Sequence, residues 1–116
     1  MQTGCFELDS GDGRSVSIAG RCPDYFKGRQ YKKLAPKIDF FREYKRTGDK
    51  VAYINAYRTQ VLAKLDPKQI WAELGEDAIL LCWEMPGEFC HRRLVALWLE
   101  ESLGVKIDEV DYLGGH

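Results

Sequence analysis

The segment CWEMPGEFCHRR, Cys82 to Arg93, gathers two thiols, two carboxylates, an imidazole and two guanidinium groups within a dozen residues. Cys90 at the start of a helix is a candidate nucleophile. Unpaired N–H groups and the helix dipole depress a thiol pKa there, and His91 or an arginine can assist. Glu84 and His91 are candidates for general acid/base work, and Glu84 could instead bind a ribose hydroxyl. Glu88 is placed to cap the helix N-terminus. Arg92 or Arg93 could clamp an oxyanion with paired hydrogen bonds, and Cys82 stands beside them as a ligand-contacting residue. A Cys-x5-Arg phosphate loop is excluded, because nine residues separate Cys82 from Arg92.

Cys82, Glu84, Cys90 and His91 are also a donor set suited to zinc or iron. Adjacent Cys90 and His91, however, point about 100° apart on a helix. No Cys-x-x-Cys or His-x-x-x-His pair occurs. Phosphate chemistry therefore leads, no metal ligand is assigned, and a metal-binding domain is kept as an alternative. The sequence names no cofactor.

These groups must be positioned by the elements around them. Ala78–Trp83 is an apolar run bounded by turn residues and reads as a strand; Glu84–Phe89 is a polar loop; a strongly apolar helix begins near Cys90 and stops at Gly104. Leu94, Val95, Leu97, Trp98 and Leu99 make that helix apolar almost all round, which marks core. Val105–Val110 alternates as a last strand. Strand, helix and strand form a βαβ unit with parallel strands and a right-handed crossover. Ligands in such folds sit beyond the carboxyl ends of the strands, where Cys82–Arg92 falls.

Upstream, Gln2–Leu8 reads as a short strand, Ser10–Gly13 as a turn and Ser15–Ala19 as a second strand. Pro36 suits a first helical turn, with Ile38, Phe40, Phe41 and Tyr44 at helical spacing and Gly48 as the stop. Asp49 caps a second helix whose buried stripe is expected from Val51, Ile54, Val61, Leu62 and Leu65. Tyr53, Asn55, Tyr57, Arg58 and Gln60 are expected mostly at its surface or half-buried, and some could point into a pocket. Asp66-Pro67 opens a third helix ending at Gly75. The tail DYLGGH is expected to fray, and terminal His116 is a poor catalytic candidate. The expected architecture is a single α/β domain spanning 1–116, a small three-layer, Rossmann-like sandwich with a mostly parallel sheet.

The 116 residues allow one core, and 45% hydrophobic composition is enough to build it. No apolar run approaches the roughly 20 residues of a membrane helix, and no signal segment opens the chain. A soluble, cytoplasmic protein is expected, with no membrane partner. Its four cysteines lack the spacing of small secreted domains and are expected as thiols or ligands rather than disulfides.

The net charge of −1 hides a separation. Arg14–Lys64 carries thirteen Lys/Arg against four Asp/Glu, while Leu65–His116 carries four against eleven. A polyanionic partner for the basic half is one reading, and mutual neutralisation across the fold is the other. Arg21, Lys27 and Arg29, interleaved with Tyr25, Phe26 and Tyr31, match a loop that tracks phosphates and stacks bases. They equally match aromatics covering a core edge while cations face water. A phosphorylated small molecule or a nucleic acid is the expected partner.

The segment LLCWEMPGEFCHRRLVALWL, Leu80–Leu99, resembles the uncharacterised family known as domain of unknown function 488. That family shows an apolar strand, Cys-aromatic-Glu, a Pro-containing loop, then Cys-His-Arg and an apolar helix. SIAGRCP, YKKLAPKIDFFREYK, LDP and LGVKIDEV extend the likeness from Ser15 to Val110. The resemblance implies that Cys82, Glu84, Cys90, His91 and Arg92 are motif positions, with Arg21 and Pro23 as a second group. CFELDSGDG departs from the family's first strand and helix, which puts one sheet edge in question. The resemblance implies a fold and a site but no substrate. The resulting expectation is a hydrolase or transferase acting on a nucleotide or nucleic acid. A non-catalytic nucleic-acid or protein binding module is the other alternative.

Overall fold

The computed structural model of the chain describes residues 1–11 and 13–112. Asp12 of the expected turn and His116 of the tail lie outside them. The strands are β1 (Gln2–Cys5), β2 (Ser15–Ser17), β3 (Arg29–Gln30), β4 (Ile79–Cys82) and β5 (Asp108–Glu109). The helices are α1 (Ile38–Thr47), α2 (Lys50–Gln60), α3 (Pro67–Leu74) and α4 (His91–Leu103). All five strands are parallel, in the order β3-β2-β4-β1-β5.

The chain is thus an α/β, Rossmann-like three-layer sandwich whose outer layers are unequal. Side chains alternate across a strand, so β4 is divided residue by residue. Leu80 joins the main core with Phe40, Tyr57, Ile70 and Val95, one from each helix. Ile79 and Leu81 face the other way, under a thin cover of Phe6, Ala19, Cys22 and Phe26. Burial on both faces is why β4 reads as a continuous apolar run. Cys82 has the parity of Leu80, which directs it to the helical side where α4 begins.

Local signals hold well at the helix ends. Gly48 and Gly104 stop α1 and α4 in the left-handed conformation, with φ of 71° and 68°, where a Cβ would crowd the following carbonyl oxygen. Asp49 accepts from Ala52 N and Asp66 from Lys68 N, so both cap as expected.

Several expectations are corrected. Of the expected first strand Gln2–Leu8 only Gln2–Cys5 is extended, while Phe6–Leu8 forms a 3-10 turn, and β1 is interior, paired with β4 on one side and β5 on the other. Its register, Gln2 opposite Ile79 through Cys5 opposite Cys82, is fixed by burial on both sides. The loop after β2 contains the edge strand β3 and a 3-10 turn, Lys32–Leu34. α1 starts at Ile38, two residues past Pro36. Of the expected stripe, Val61 and Leu62 just past α2 are buried, but within the helix the buried residues are Tyr53 and Tyr57, whereas Val51 is 67% exposed. The rings win that face because each buries far more apolar area than a valine. Leu97 of α4 is exposed rather than core. The last strand shortens to two residues beside β1.

Among the described residues no helix is long and apolar enough to cross a membrane.

Candidate active site

A cavity of about 620 Å³ opens beyond the carboxyl ends of β2 and β4. Its walls are largely aromatic and apolar: Phe41 and Tyr44 from α1, Tyr53 from α2, and Phe89 and Trp83 from the β4–α4 loop. Cys82, Glu84, Cys90 and His91 line it too, and Arg21 and Lys45 are exposed residues on its border. The rings are mutually braced. Tyr44 and Tyr53 lie 5.2 Å apart, and Phe89 stands 5.3 and 5.4 Å from them. The Trp83 indole donates to Arg21 O at 2.7 Å, which ties the loop after β2 to the end of β4.

Behind this wall Tyr57 is wholly buried. It stacks 6.2 Å from Tyr53 and donates its hydroxyl to Leu34 O. Burial, then the nearby Glu84 carboxylate, pushes the Tyr53 hydroxyl well up, so it remains a protonated donor at neutral pH.

Cys90 is the N-cap of α4, and its own side chain makes no capping hydrogen bond. Glu88, expected in the capping role, is exposed instead. His91 is buried, and its Nε2 lies 2.8 Å from Ile18 O. A carbonyl only accepts, so Nε2 carries the proton and Nδ1 presents its lone pair, 3.8 Å from Cys90 Sγ. Burial lowers the imidazole to about 4 against the favourable bond to Ile18, with the Arg92 charge adding to the drop. The ring is neutral at physiological pH.

Cys82 and Cys90 are joined by a disulfide, with Cα atoms 7.4 Å apart, while Cys5 and Cys22 are free. This corrects the expectation of four thiols or ligands. The pairing arises because the end of β4 and the N-cap of α4 face one another. His91 belongs to the same cluster: its ring nitrogen and the two sulfurs lie within 4.8 Å of one another.

The structure directs Arg92 away from the cavity. It is 0% exposed, and its guanidinium donates to both oxygens of Glu109 at 2.9 and 2.8 Å, to Glu84 O at 2.7 Å and to Cys82 Sγ at 2.9 Å. Arg93 donates to Thr3 Oγ1 and Ile107 O. Thr3 in turn donates to Glu109. Arg92 therefore clamps the β4 end and the loop after it to the β5 edge.

Arg29 lies at the opposite end of the sheet, where it donates to Leu74 O at 2.8 Å and caps the C-terminus of α3. Lys33 pairs with Glu73 of α3 at 3.0 Å, so part of the basic half is neutralised by the acidic half. Lys27 is exposed and is not part of the cavity wall. Of the basic-loop candidates, Arg21 alone borders the cavity. Sequence reasoning missed Tyr44, Lys45 and Phe89 as wall residues, while Tyr53 is the one of the α2 pocket candidates that lines the cavity. The available signal was the surplus of apolar residues on α1, where Ile38 at 63% and Phe41 at 36% exposure are more than its core contact needs.

The Arg92–Glu109 pair predicts an acid sensitivity. Partial burial pushes the Glu109 carboxyl up, but bonds from Arg92 and Thr3 and the charges of Arg92 and Arg93 outweigh it and hold the group below its ordinary 4.5. The folded state thus binds the proton more weakly than the unfolded chain. Its contribution is complete above that value and is lost as pH falls through the depressed folded one. Urea midpoints from about pH 5 to about pH 3 are expected to fall less steeply in Glu109→Gln than in the wild type. Equal slopes would remove Glu109 from the acid response.

No curated protein and no solved structure matches the chain. The family model described as the active DUF488-N3 subclade, DUF488-N3a, matches residues 9–103. That span holds β2, β3, β4, all four helices and every cavity-lining residue described above. The chain belongs to the DUF488 family, within the DUF488-N3a subclade.

Proposed function

We propose that the protein is an enzyme of the hydrolase or transferase class whose substrate is a nucleotide or a nucleotide-bearing end of a nucleic acid. The observation that carries this reading is the aromatic-walled cavity at the carboxyl end of a parallel sheet, with a carboxylate and the α4 N-terminus opening on it. A volume of about 620 Å³ accommodates a ligand of mononucleotide size. Tyr44, Tyr53 and Phe89 offer ring faces and edges to a base. Arg21, Lys45 and the first-turn N–H groups of α4 favour phosphate.

In this reading Glu84 moves the proton. It is half-buried at the β4 exit and close enough to Tyr53 to raise that hydroxyl. His91 and Cys90 shape the end of the cavity, with His91 Nδ1 the remaining basic atom there. Arg92 acts as a positioning residue through Cys82 and Glu84 O, rather than as the oxyanion clamp. The subclade's description as active agrees with a catalytic assignment.

The test is a thermal-shift panel of phosphate, nucleosides, mononucleotides, dinucleotides and short DNA, followed by turnover assays on whatever binds. A ligand at about 100-fold over its dissociation constant is expected to stabilise by about 2.7 kcal/mol. Glu84→Gln is expected to keep the shift and lose about 10²–10⁴-fold in turnover. Binding with no turnover in the wild type would assign a binding module instead. Unchanged turnover in Glu84→Gln would end the carboxylate's role.

A further inference from the structure

We propose that, once the Cys82–Cys90 bond is reduced, Cys82, Cys90 and His91 hold a borderline-soft divalent metal ion of the zinc class, with its remaining coordination position facing the cavity. All three residues are buried, and one ligand atom from each lies within 4.8 Å of the others. On a tetrahedral zinc ion the sulfurs and nitrogen stand roughly 3.5–3.8 Å apart. The 3.8 Å between Cys90 Sγ and His91 Nδ1 already meets that spacing. The 7.4 Å between the two Cα atoms exceeds the roughly 4.4–6.8 Å usual for disulfides, so once the bond is reduced the sulfurs can separate without the two backbones moving apart.

The outer partners of these ligands are an independent observation. His91 Nε2–H is fixed by Ile18 O at 2.8 Å, which aims Nδ1 at the sulfurs. Arg92 donates to Cys82 Sγ at 2.9 Å and is itself held by Glu109. Metal-binding imidazoles and thiolates carry such supports, which orient the ligand and stabilise its metal-binding form. Two thiolates with one imidazole select a soft or borderline ion over magnesium or calcium. Two thiolates cancel the ion's charge, and Glu109 cancels Arg92, so the buried assembly is neutral.

The chemistry balances. A dithiol such as dithiothreitol supplies two electrons and two protons to the S–S bond, closes to its own disulfide and leaves two thiols. The divalent ion then displaces the two thiol protons to solvent. Three protein ligands with one position open toward a cavity is the pattern of a catalytic rather than a structural zinc site. The proposal shares a cavity with the preceding reading but not its ligand, and metal binding is read without nucleotide present, so either can fail alone.

Reduced, chelator-treated protein, freed of dithiol under argon, is titrated with Co2+ and then Zn2+. The expected result is one equivalent of Co2+ with a sulfur-to-cobalt charge-transfer band and intense visible bands of tetrahedral geometry, displaced by one equivalent of Zn2+. Cys22→Ser is expected to retain this spectrum. Cys90→Ser is expected to lose it, with affinity falling more than about 100-fold, since outer-shell losses alone cost about 10–100-fold. Alkylation mapped by mass spectrometry reads the wild type independently of how any variant folds. Zn2+ is expected to protect Cys82 and Cys90 while Cys22 reacts. Absence of the cobalt spectrum, or equal alkylation of Cys82 and Cys90 with and without Zn2+, overturns the site.

Discussion

Glu109→Ala is expected to lower the unfolding free energy by about 3 kcal/mol, the low end of the about 3–5 kcal/mol typical when one partner of a buried ion pair is removed. The two ends of this pair are unequal: the Arg92 side chain is 0% exposed and that of Glu109 is 22% exposed. Loss of the carboxylate leaves a guanidinium sealed in the protein with Cys82 Sγ and Glu84 O as its remaining partners. Neither carries a full charge while Cys82 is in a disulfide. Replacing the arginine by methionine removes that buried charge while its apolar stem stays filled. Arg92→Met combined with Glu109→Ala is therefore expected to recover a large part of the loss, which a double-mutant cycle in urea measures as a coupling energy. A cost under about 1 kcal/mol for Glu109→Ala would mean that Arg92 is neutralised by another group or by water.

Tyr57→Ala is expected to cost about 3–5 kcal/mol, the range for removing a buried aromatic side chain and leaving a cavity. Tyr57 is 0% exposed and packs against Tyr53, Phe40 and His91 with ring separations of 6.2, 6.3 and 5.6 Å. Tyr57→Phe keeps the ring and removes the hydroxyl, leaving Leu34 O without its donor. That is expected to cost about 1–3 kcal/mol. Leu34 ends the turn that leads into α1, so the lost bond loosens the α1 side of the cavity as well. The larger variant is expected to weaken ligand-induced stabilisation in addition to lowering the midpoint. Equal costs for Tyr57→Ala and Tyr57→Phe would show that the ring contributes nothing beyond its hydroxyl.

These two residues mark where sequence reading stops. The sequence leaves Tyr57 at the surface or half-buried, because Val51 and Ile54 offer a competing apolar stripe on the same helix. Periodicity identifies faces but does not rank them, and the ring-bearing face prevailed on buried area. Arg92, opening a helix beside thiols, reads from sequence as an oxyanion clamp. Its actual partner lies seventeen residues further on, on a strand edge that exists only because β1 is inserted between β4 and β5. The cavity was invisible for a related reason. Ile38, Phe41 and Tyr44 follow a helical period like core residues, and only the placement of α1 at the rim of the sheet turns them into a wall.

The disulfide illustrates the same division. Cys82 and Cys90 could be seen as chemically connected, since both flank one loop in a motif of the family. Whether they pair with each other, hold an ion or act singly depends on the angle between β4 and α4. No local pattern encodes that angle.

By itself the sequence determined what depends on a few consecutive residues: the αL stops at Gly48 and Gly104, the caps at Asp49 and Asp66, the apolar run of β4, and the family. Each rests on backbone sterics, a capping bond or a motif that spans one turn or loop. Tertiary structure alone decided the sheet order, the pairing of Arg92 with Glu109, the removal of Arg29 to the far end of the sheet and the aromatic cavity. Those outcomes turn on contacts between residues distant in the chain, whose energies come from burial and charge partners that exist only after the layers have closed.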